Sequence, residues 1–242
     1  MTVRMPSEAE IRGEDRGYLA YHAPRYRYLL GVASRYLPPE NARVLEIGPS
    51  PLGPLLAATL GCPVDSLGLE PEGDGPHGRH FHFDLDGCPG ASEPPGMPRY
   101  DLVVFAEVIE HLHTSPVHTL AFVRGLLADA GALILQTPNA ASLPKRLKLL
   151  AGRNPYELIR PDGGNPGHFR EYTLRELEAY ARQARFQVVE VARRFYFDAR
   201  FAHHEEGASR PQPFVGTIKN GIYRALPQFL REGITVVLRK EP

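Results

Sequence analysis

The chain predicts one α/β domain: a doubly wound, seven-stranded mixed sheet with its last strand antiparallel, helices on both faces and a small insert. Three observations predict it. Short apolar runs of strand length alternate with helical periodicity along most of the 242 residues. Glycines (23) and prolines (24) fall between those runs and punctuate them, rather than marking disorder. Hydrophobic residues make up 43% and charged residues 23%, a balance able to bury a large core.

From Tyr21 to Leu37, apolar and aromatic residues recur at Tyr26, Leu29, Leu30, Ala33, Tyr36 and Leu37, a helical spacing that Pro38-Pro39 stops. Val44 to Ile47 is a short buried strand running into a Gly/Pro/Ser turn. Leu52 to Leu60 has helical spacing, and Gly61 stands where helices terminate. Further strands are expected at Val64–Leu69, Arg79–Phe83 and Leu102–Phe105. Ser115-Pro116 opens a helix, serine as cap and proline in the first turn, with Leu120, Val123 and Leu127 along one face and Gly131 as its end. Ala132–Gln136 is a fifth strand. Thr173 and Glu176 form a T-x-x-E capping box before the amphipathic LRELEAYARQARF. Gln187–Val191 and Ile234–Leu238 close the sheet. No helical pattern separates these last two strands, so their pairing is expected to be antiparallel. Residues 139–172 and 195–230 lie outside this rhythm.

Bulk properties exclude several classes. Twenty-eight basic residues cancel twenty-eight acidic ones, which gives no general electrostatic attraction to nucleic acid. The opening MTVRMPSEAEIRGED is polar and acidic, unlike a secretory signal or transit peptide. No apolar run reaches the roughly 18 residues of a membrane span. Cys62 and Cys88 stand apart with no C-x-x-C pair, as expected of free thiols in a reducing cytoplasm.

Chemistry gathers where the strands end. VLEIGPSPLGP at 44–54 occupies the first strand-to-helix turn, where the crevice of a doubly wound sheet opens. Gly48 lets the backbone approach a ligand closely. Strand two ends in Leu69-Glu70, a carboxylate placed to accept both ribose hydroxyls of a nucleoside. Strand three ends in Phe83-Asp84-Leu85, strand four in Phe105-Ala106-Glu107.

Acid-x-Gly after strand one, Glu after strand two, Asp after strand three and YDLVVFAEVIEHL after strand four resemble class I S-adenosylmethionine (SAM)-dependent methyltransferases, whose fold is Rossmann-like. GALILQTPN resembles their fifth strand, and HFREYTLRELEAYARQARFQVVEV a segment of their small-molecule members. The resemblance implies one methyltransferase domain over 1–242: a helical cap (1–40), a SAM-binding core (41–138), a lid insert (139–172), and a closing helix and strands (173–242) with a second insert at 195–230. It implies that Glu46, Gly48, Glu70, Asp84, Leu85 and Ala106 line the cofactor site, with Pro49, Ser50, Gly53 and Glu107 beside it. It also implies that Tyr18, Tyr21 and Arg25 reach the methionine carboxylate. Where the family writes acid-x-Gly-x-Gly-x-Gly, Ser50 and Leu52 replace the later glycines and Gly53 comes one place late, so the path of the loop is open. A nicotinamide dehydrogenase would need G-x-G-x-x-G to seat a pyrophosphate on the helix N-terminus, and Gly48-Pro49-Ser50 breaks that spacing.

Glu107, Glu110 and His111 stand at i, i+3 and i+4, sharing one face if the turn is helical. This E-V-I-E-H is similar to ubiquinone-biosynthesis O-methyltransferases and to small-RNA 2′-O-methyltransferases. Some of these bind a divalent metal there, with a downstream histidine that His168 would supply. The catalytic candidates are therefore His111, Glu110 and His168, with a metal-free general base preferred to a divalent metal. His113, His118, His203 and His204 are expected at the surface or in loops. The insert carries Lys145, Arg146, Lys148, Arg153 and Arg160 against the one acid Glu157, with Leu143, Leu147 and Leu150 at helical spacing, and suits a lid over the acceptor. The expected function is cytoplasmic O-methylation of a small or sugar-like hydroxyl acceptor, releasing S-adenosylhomocysteine. The alternatives are a metal-assisted methyltransferase of RNA 3′ ends and a SAM-binding subunit without turnover.

Overall fold

A computed structural model of the chain describes residues 16–38, 40–90, 96–161, 167–201 and 213–241. Helix α1 (Arg16–Tyr36) precedes β1 (Val44–Ile47), α2 (Leu52–Leu60), β2 (Val64–Gly68), β3 (Gly73–Asp74), β4 (Arg79–His82) and β5 (Tyr100–Ala106). Then follow α3 (Pro116–Leu126), β6 (Leu127–Pro138), α4 (Leu143–Leu150), α5 (Leu174–Gln183), β7 (Phe186–Arg194), α6 (Pro213–Ala225) and β8 (Gly233–Lys240).

The strands form one sheet in the order β3-β4-β2-β1-β5-β6-β8-β7. β4, β2, β1, β5 and β6 are mutually parallel, and β8 runs antiparallel between β6 and β7. The sheet has eight strands rather than seven. The extra one, β3, pairs only Gly73 and Asp74 with β4, too short a run to leave a periodic trace in sequence.

Pleating decides which layer each side chain joins. Val103 and Phe105 of β5 face a core shared with Leu120 and Val123 of α3 and Leu177 of α5. Their neighbours Leu102 and Val104 face the opposite core, shared with Leu29, Leu30 and Ala33 of α1 and Leu55 and Leu56 of α2. Every residue of β1 is buried, as a central strand covered on both faces requires.

The ends of the elements follow the sequence with two corrections. Gly61 closes α2 at φ +69°, and the Thr173/Glu176 capping box opens α5 as expected. However, α3 ends at Leu126 instead of Gly131, and Ser115 makes no side-chain cap hydrogen bond. Leu127 is already paired with Tyr100, so the sheet captures the segment before the helix reaches its glycine. The second correction is α6, a helix between the closing strands where none was expected. Gly216 and Gly221 lower its propensity, but Gly216 packs so closely on Ala199 that a Cβ there would overlap its backbone. Tertiary contact overrides propensity here. His203 and His204 lie outside the described residues.

Gly233, which starts β8, abuts the ring of the buried Tyr196, and a Cβ there would overlap it. Gly233→Ala should destabilise the protein by about 1–3 kcal/mol through overpacking. A melting temperature in calorimetry within a degree of the parent would contradict this packing.

Candidate active site

The strand order reverses about β1, with β2 on one side and β5 on the other, so the crevice opens at their carboxyl ends. Gly48 leaves β1 at φ +76° and its N–H donates to Leu67 O at 2.9 Å. A Cβ would overlap Val108, so only glycine lets the loop pass beneath that side chain. The loop then closes over Glu46, whose buried carboxylate accepts from the Ser50 hydroxyl at 2.6 Å. Burial pushes this carboxyl up to about 8, against the pull of donors from Ser50 and Gly53. A Cβ at Gly53 would fall on the Glu46 carboxylate and push it from its place. Ser50, which stands where the family has glycine, also accepts from Leu52 N–H at 3.1 Å and so fixes the loop's path. Glu46 and Gly53 therefore shape the loop and do not line the cavity above it.

That cavity has a volume of about 750 Å³, within the usual range for a small-molecule site. Of the residues expected there, Tyr18, Arg25, Gly48, Pro49, Ser50, Ala106, Glu107, His111 and His168 line it. Tyr21 does not. Its ring stacks on Phe197 at 4.8 Å, and burial pushes its hydroxyl up to about 12. Glu157 and Arg160 of the insert also line the cavity, with Leu29 and Leu52, and so do His22 and Val108, which were not singled out in sequence. The signal for His22 existed: it stands at i+4 from Tyr18 and i−3 from Arg25, on one helical face. Buried Arg25 approaches Glu107 at 3.5 Å and donates to the Tyr26 hydroxyl at 3.4 Å, while its Nε has no protein partner among the described residues. Glu107 occupies the left-handed region at φ +59°, unusual for a residue with a side chain and the kind of strain that collects at functional sites. Burial pushes its carboxyl up, opposed by Arg25.

The two acids expected to hold the nucleoside sit outside this cavity, on the exposed rim. Glu70 curls back so that Oε2 would lie 2.6 Å from a Cβ on Gly68, beside Pro49 of the loop. His80 Nε2 and His82 Nδ1 both hold the Glu70 carbonyl at 3.0 Å, a clamp the sequence did not announce. Asp84 caps the short turn Leu85–Gly87 through the Asp86 N–H at 2.9 Å, and Leu85 is buried in the core.

At the opposite end, Ile109–His111 form a single 3-10 turn rather than an α-helical one. Glu107 consequently faces Arg25; it and His111 line the cavity, which Glu110 does not. Backbone N–H groups of Phe169 and Arg170 bond Glu110 O at 2.9 and 3.2 Å, which carries His168 to the same place. One ligand atom from each of Glu110, His111 and His168 lies within 4.8 Å of the others. The two imidazole rings meet edge-on, 4.8 Å apart. His111 Nδ1 lies 2.9 Å from Gly167 O and must donate to it, which leaves Nε2 as the basic nitrogen. His168 Nδ1 lies 3.1 Å from Glu171, and burial lowers its imidazole to about 4, so it is neutral at pH 7. Glu110 is wholly buried. Thr137 donates to its Oε2 at 2.9 Å, and Oε1 has no protein partner among the described residues. Burial, then the nearby Glu107, raises its carboxyl well above the usual range. Lys145 of α4 pairs with Glu171 behind this cluster, and burial lowers its ammonium to about 8. His113 is exposed and pairs with Asp86 at 3.3 Å.

A family described as a methyltransferase domain matches residues 20–191. No curated protein matches the sequence. Among solved structures, the chain is similar to a methyltransferase from Haloferax volcanii in complex with the Trm112 methyltransferase activator. There the TM-score is 0.60 and identity 16%, covering 99% of this chain and 100% of that one. It is also similar to a SAM-dependent methyltransferase from Archaeoglobus fulgidus, with TM-score 0.53, 14% identity and coverage of 93% and 100%. The [4+2]-cyclase SpnF has the same architecture at TM-score 0.56 and 16% identity, covering 94% of this chain and 86% of that one. At such identities the likeness fixes the fold, and the chemistry must be argued from the site.

Proposed function

We propose that this chain, which belongs to the methyltransferase domain family and is a SAM-dependent methyltransferase, methylates a hydroxyl of a small or sugar-like acceptor, with His111 as the general base. The observation that carries the reading is the fixed tautomer of His111, whose Nδ1–H is engaged by Gly167 so that Nε2 remains to accept a proton at the cavity wall. Bound SAM supplies an activated methyl group, whose transfer forms a C–O bond, breaks a C–S bond and leaves S-adenosylhomocysteine. Arg25, with a buried Nε still to be matched, suits the methionine carboxylate, together with Tyr18. Glu70 suits the ribose hydroxyls and Asp84 the adenine amino group. His111 takes the acceptor proton, and the cavity walls hold the acceptor oxygen in line, an effect that can contribute about 7–11 kcal/mol. The resemblance of E-V-I-E-H at 107–111 to ubiquinone-biosynthesis O-methyltransferases supports this reading. The separate free thiols Cys62 and Cys88 accord with a cytoplasmic enzyme.

A second reading has its own support. The unmatched Glu110 Oε1 and two imidazoles held by their Nδ1 atoms suit the donor set and outer contacts of a divalent metal centre. Glu110, His111 and His168 would hold the ion, which would supply Lewis acidity to an acceptor oxygen. S-adenosylhomocysteine release across hydroxyl, amine and thiol acceptors, with and without chelator, separates the readings. Hydroxyl-only turnover that survives chelation is expected. Turnover lost on chelation and restored by zinc or manganese would establish the metal reading, and turnover of amines or thiols alone would refute both.

Removing Glu70 tests the cofactor site cleanly because its side chain is 59% exposed and supports no core. Glu70→Ala should weaken SAM binding about 10- to 100-fold, because water at this exposed position replaces part of two charge-assisted hydrogen bonds worth up to about 1.5–3 kcal/mol each. The melting temperature should hold. Unchanged affinity by calorimetry would remove Glu70 from the site.

A further inference from the structure

Two helices of this fold are inside out. No residue of α4 is buried; its Lys145 turns inward to Glu171 while Leu147, Leu149 and Leu150 face solvent, Leu150 at 84% exposure. In α6 only Gly216 and Asn220 are buried, while Phe214, Ile218 and Ile222, at i, i+4 and i+8, are exposed, Phe214 at 78%. Most of the exposed large apolar side chains among the described residues lie in these two helices and the loops beside them. An amphipathic helix normally turns such a stripe to the core. Contiguous apolar surface left in water marks an interaction site.

The two segments share one edge of the molecule. α4 follows the end of β6 and α6 precedes the start of β8, and Pro138 pairs with Gly233 at that edge. Arg146 of α4 lies over the ring of Phe229, in the turn after α6, at 5.9 Å. Charge is one-sided there. Residues 139–161 hold five lysines and arginines against Glu157 alone, and residues 213–231 hold Lys219, Arg224 and Arg231 with no acid. A groove between α4, α5 and Phe229 adds Arg175, Arg182 and Arg193, with Glu178 its one acid.

We propose that this edge docks on an anionic lipid bilayer, the leucines and Phe214 entering the headgroup boundary and the cations meeting lipid phosphates. Exposed apolar side chains among a surplus of cations are the chemistry of an interfacial helix. Nucleic acid would match the cations but leave the apolar stripe in water. The same insert supplies Glu157 and Arg160 to the cavity wall, so docking brings the cavity rim to the lipid surface.

Flotation of the full chain with vesicles of phosphatidylcholine alone or with phosphatidylglycerol tests this. Binding is expected only with phosphatidylglycerol and should weaken about tenfold or more between low and high salt. Leu149→Ser with Leu150→Ser and Phe214→Ser, and separately Lys148→Glu with Arg153→Glu, should each abolish flotation while the melting temperature holds. A folded wild type that stays in solution with both vesicles, or binding that survives these substitutions, overturns the proposal. It is equally overturned if vesicles are ignored and the apolar variant instead dissolves a concentration-dependent dimer in light scattering, or if RNA binding replaces lipid binding.

Discussion

His111→Ala should slow turnover by about 10²- to 10⁴-fold, the usual worth of a positioned general base. SAM affinity should change little, because the contacts proposed for SAM are made by Arg25, Tyr18, Glu70 and Asp84 and not by His111. The variant should fold: His111 is only partly buried, and its loss removes one hydrogen bond to Gly167, worth about 1 kcal/mol. Measuring kcat by S-adenosylhomocysteine release beside SAM affinity by calorimetry separates proton transfer from binding. An alanine variant with the parent's kcat would take the base from His111. His168→Ala should have a smaller effect, because its burial and its contacts with Glu171 and the His111 ring make it a positioning neighbour.

Deleting Leu143–Arg160 should abolish measurable turnover and leave SAM binding within a fewfold of the parent. The segment contributes Glu157 and Arg160 to the cavity, and Lys145 steadies Glu171, which in turn holds His168. Losing several positioning contacts together forfeits much of the advantage of holding the acceptor in line. The core does not depend on the segment, since every residue from Leu143 to Arg160 is at least partly exposed. A single cooperative thermal transition should therefore persist. Loss of that transition together with SAM binding would make the segment structural and not a lid.

The sequence by itself determined the alternation of elements and the position of the crevice, because these rest on local periodicity and turn chemistry. Val44–Ile47, the Gly61 stop and the Thr173/Glu176 box each act within a few residues, so neighbours in the chain suffice to announce them. Gly48, Glu70 and the Glu110-His111 pair were legible for the same reason: each sits where a strand ends. Only the tertiary structure decided what those residues face. Glu107 joins Arg25 across the fold because its strand ends in a left-handed bend. His168 reaches His111 through backbone bonds to Glu110 spanning more than fifty residues of sequence. The role of Glu46 as the buried anchor of its loop follows from burial, which spacing does not encode. Helix α6 and the outward stripes of α4 and α6 show the same limit. Periodicity reveals that a face is apolar, but only packing decides whether that face meets the core or the solvent.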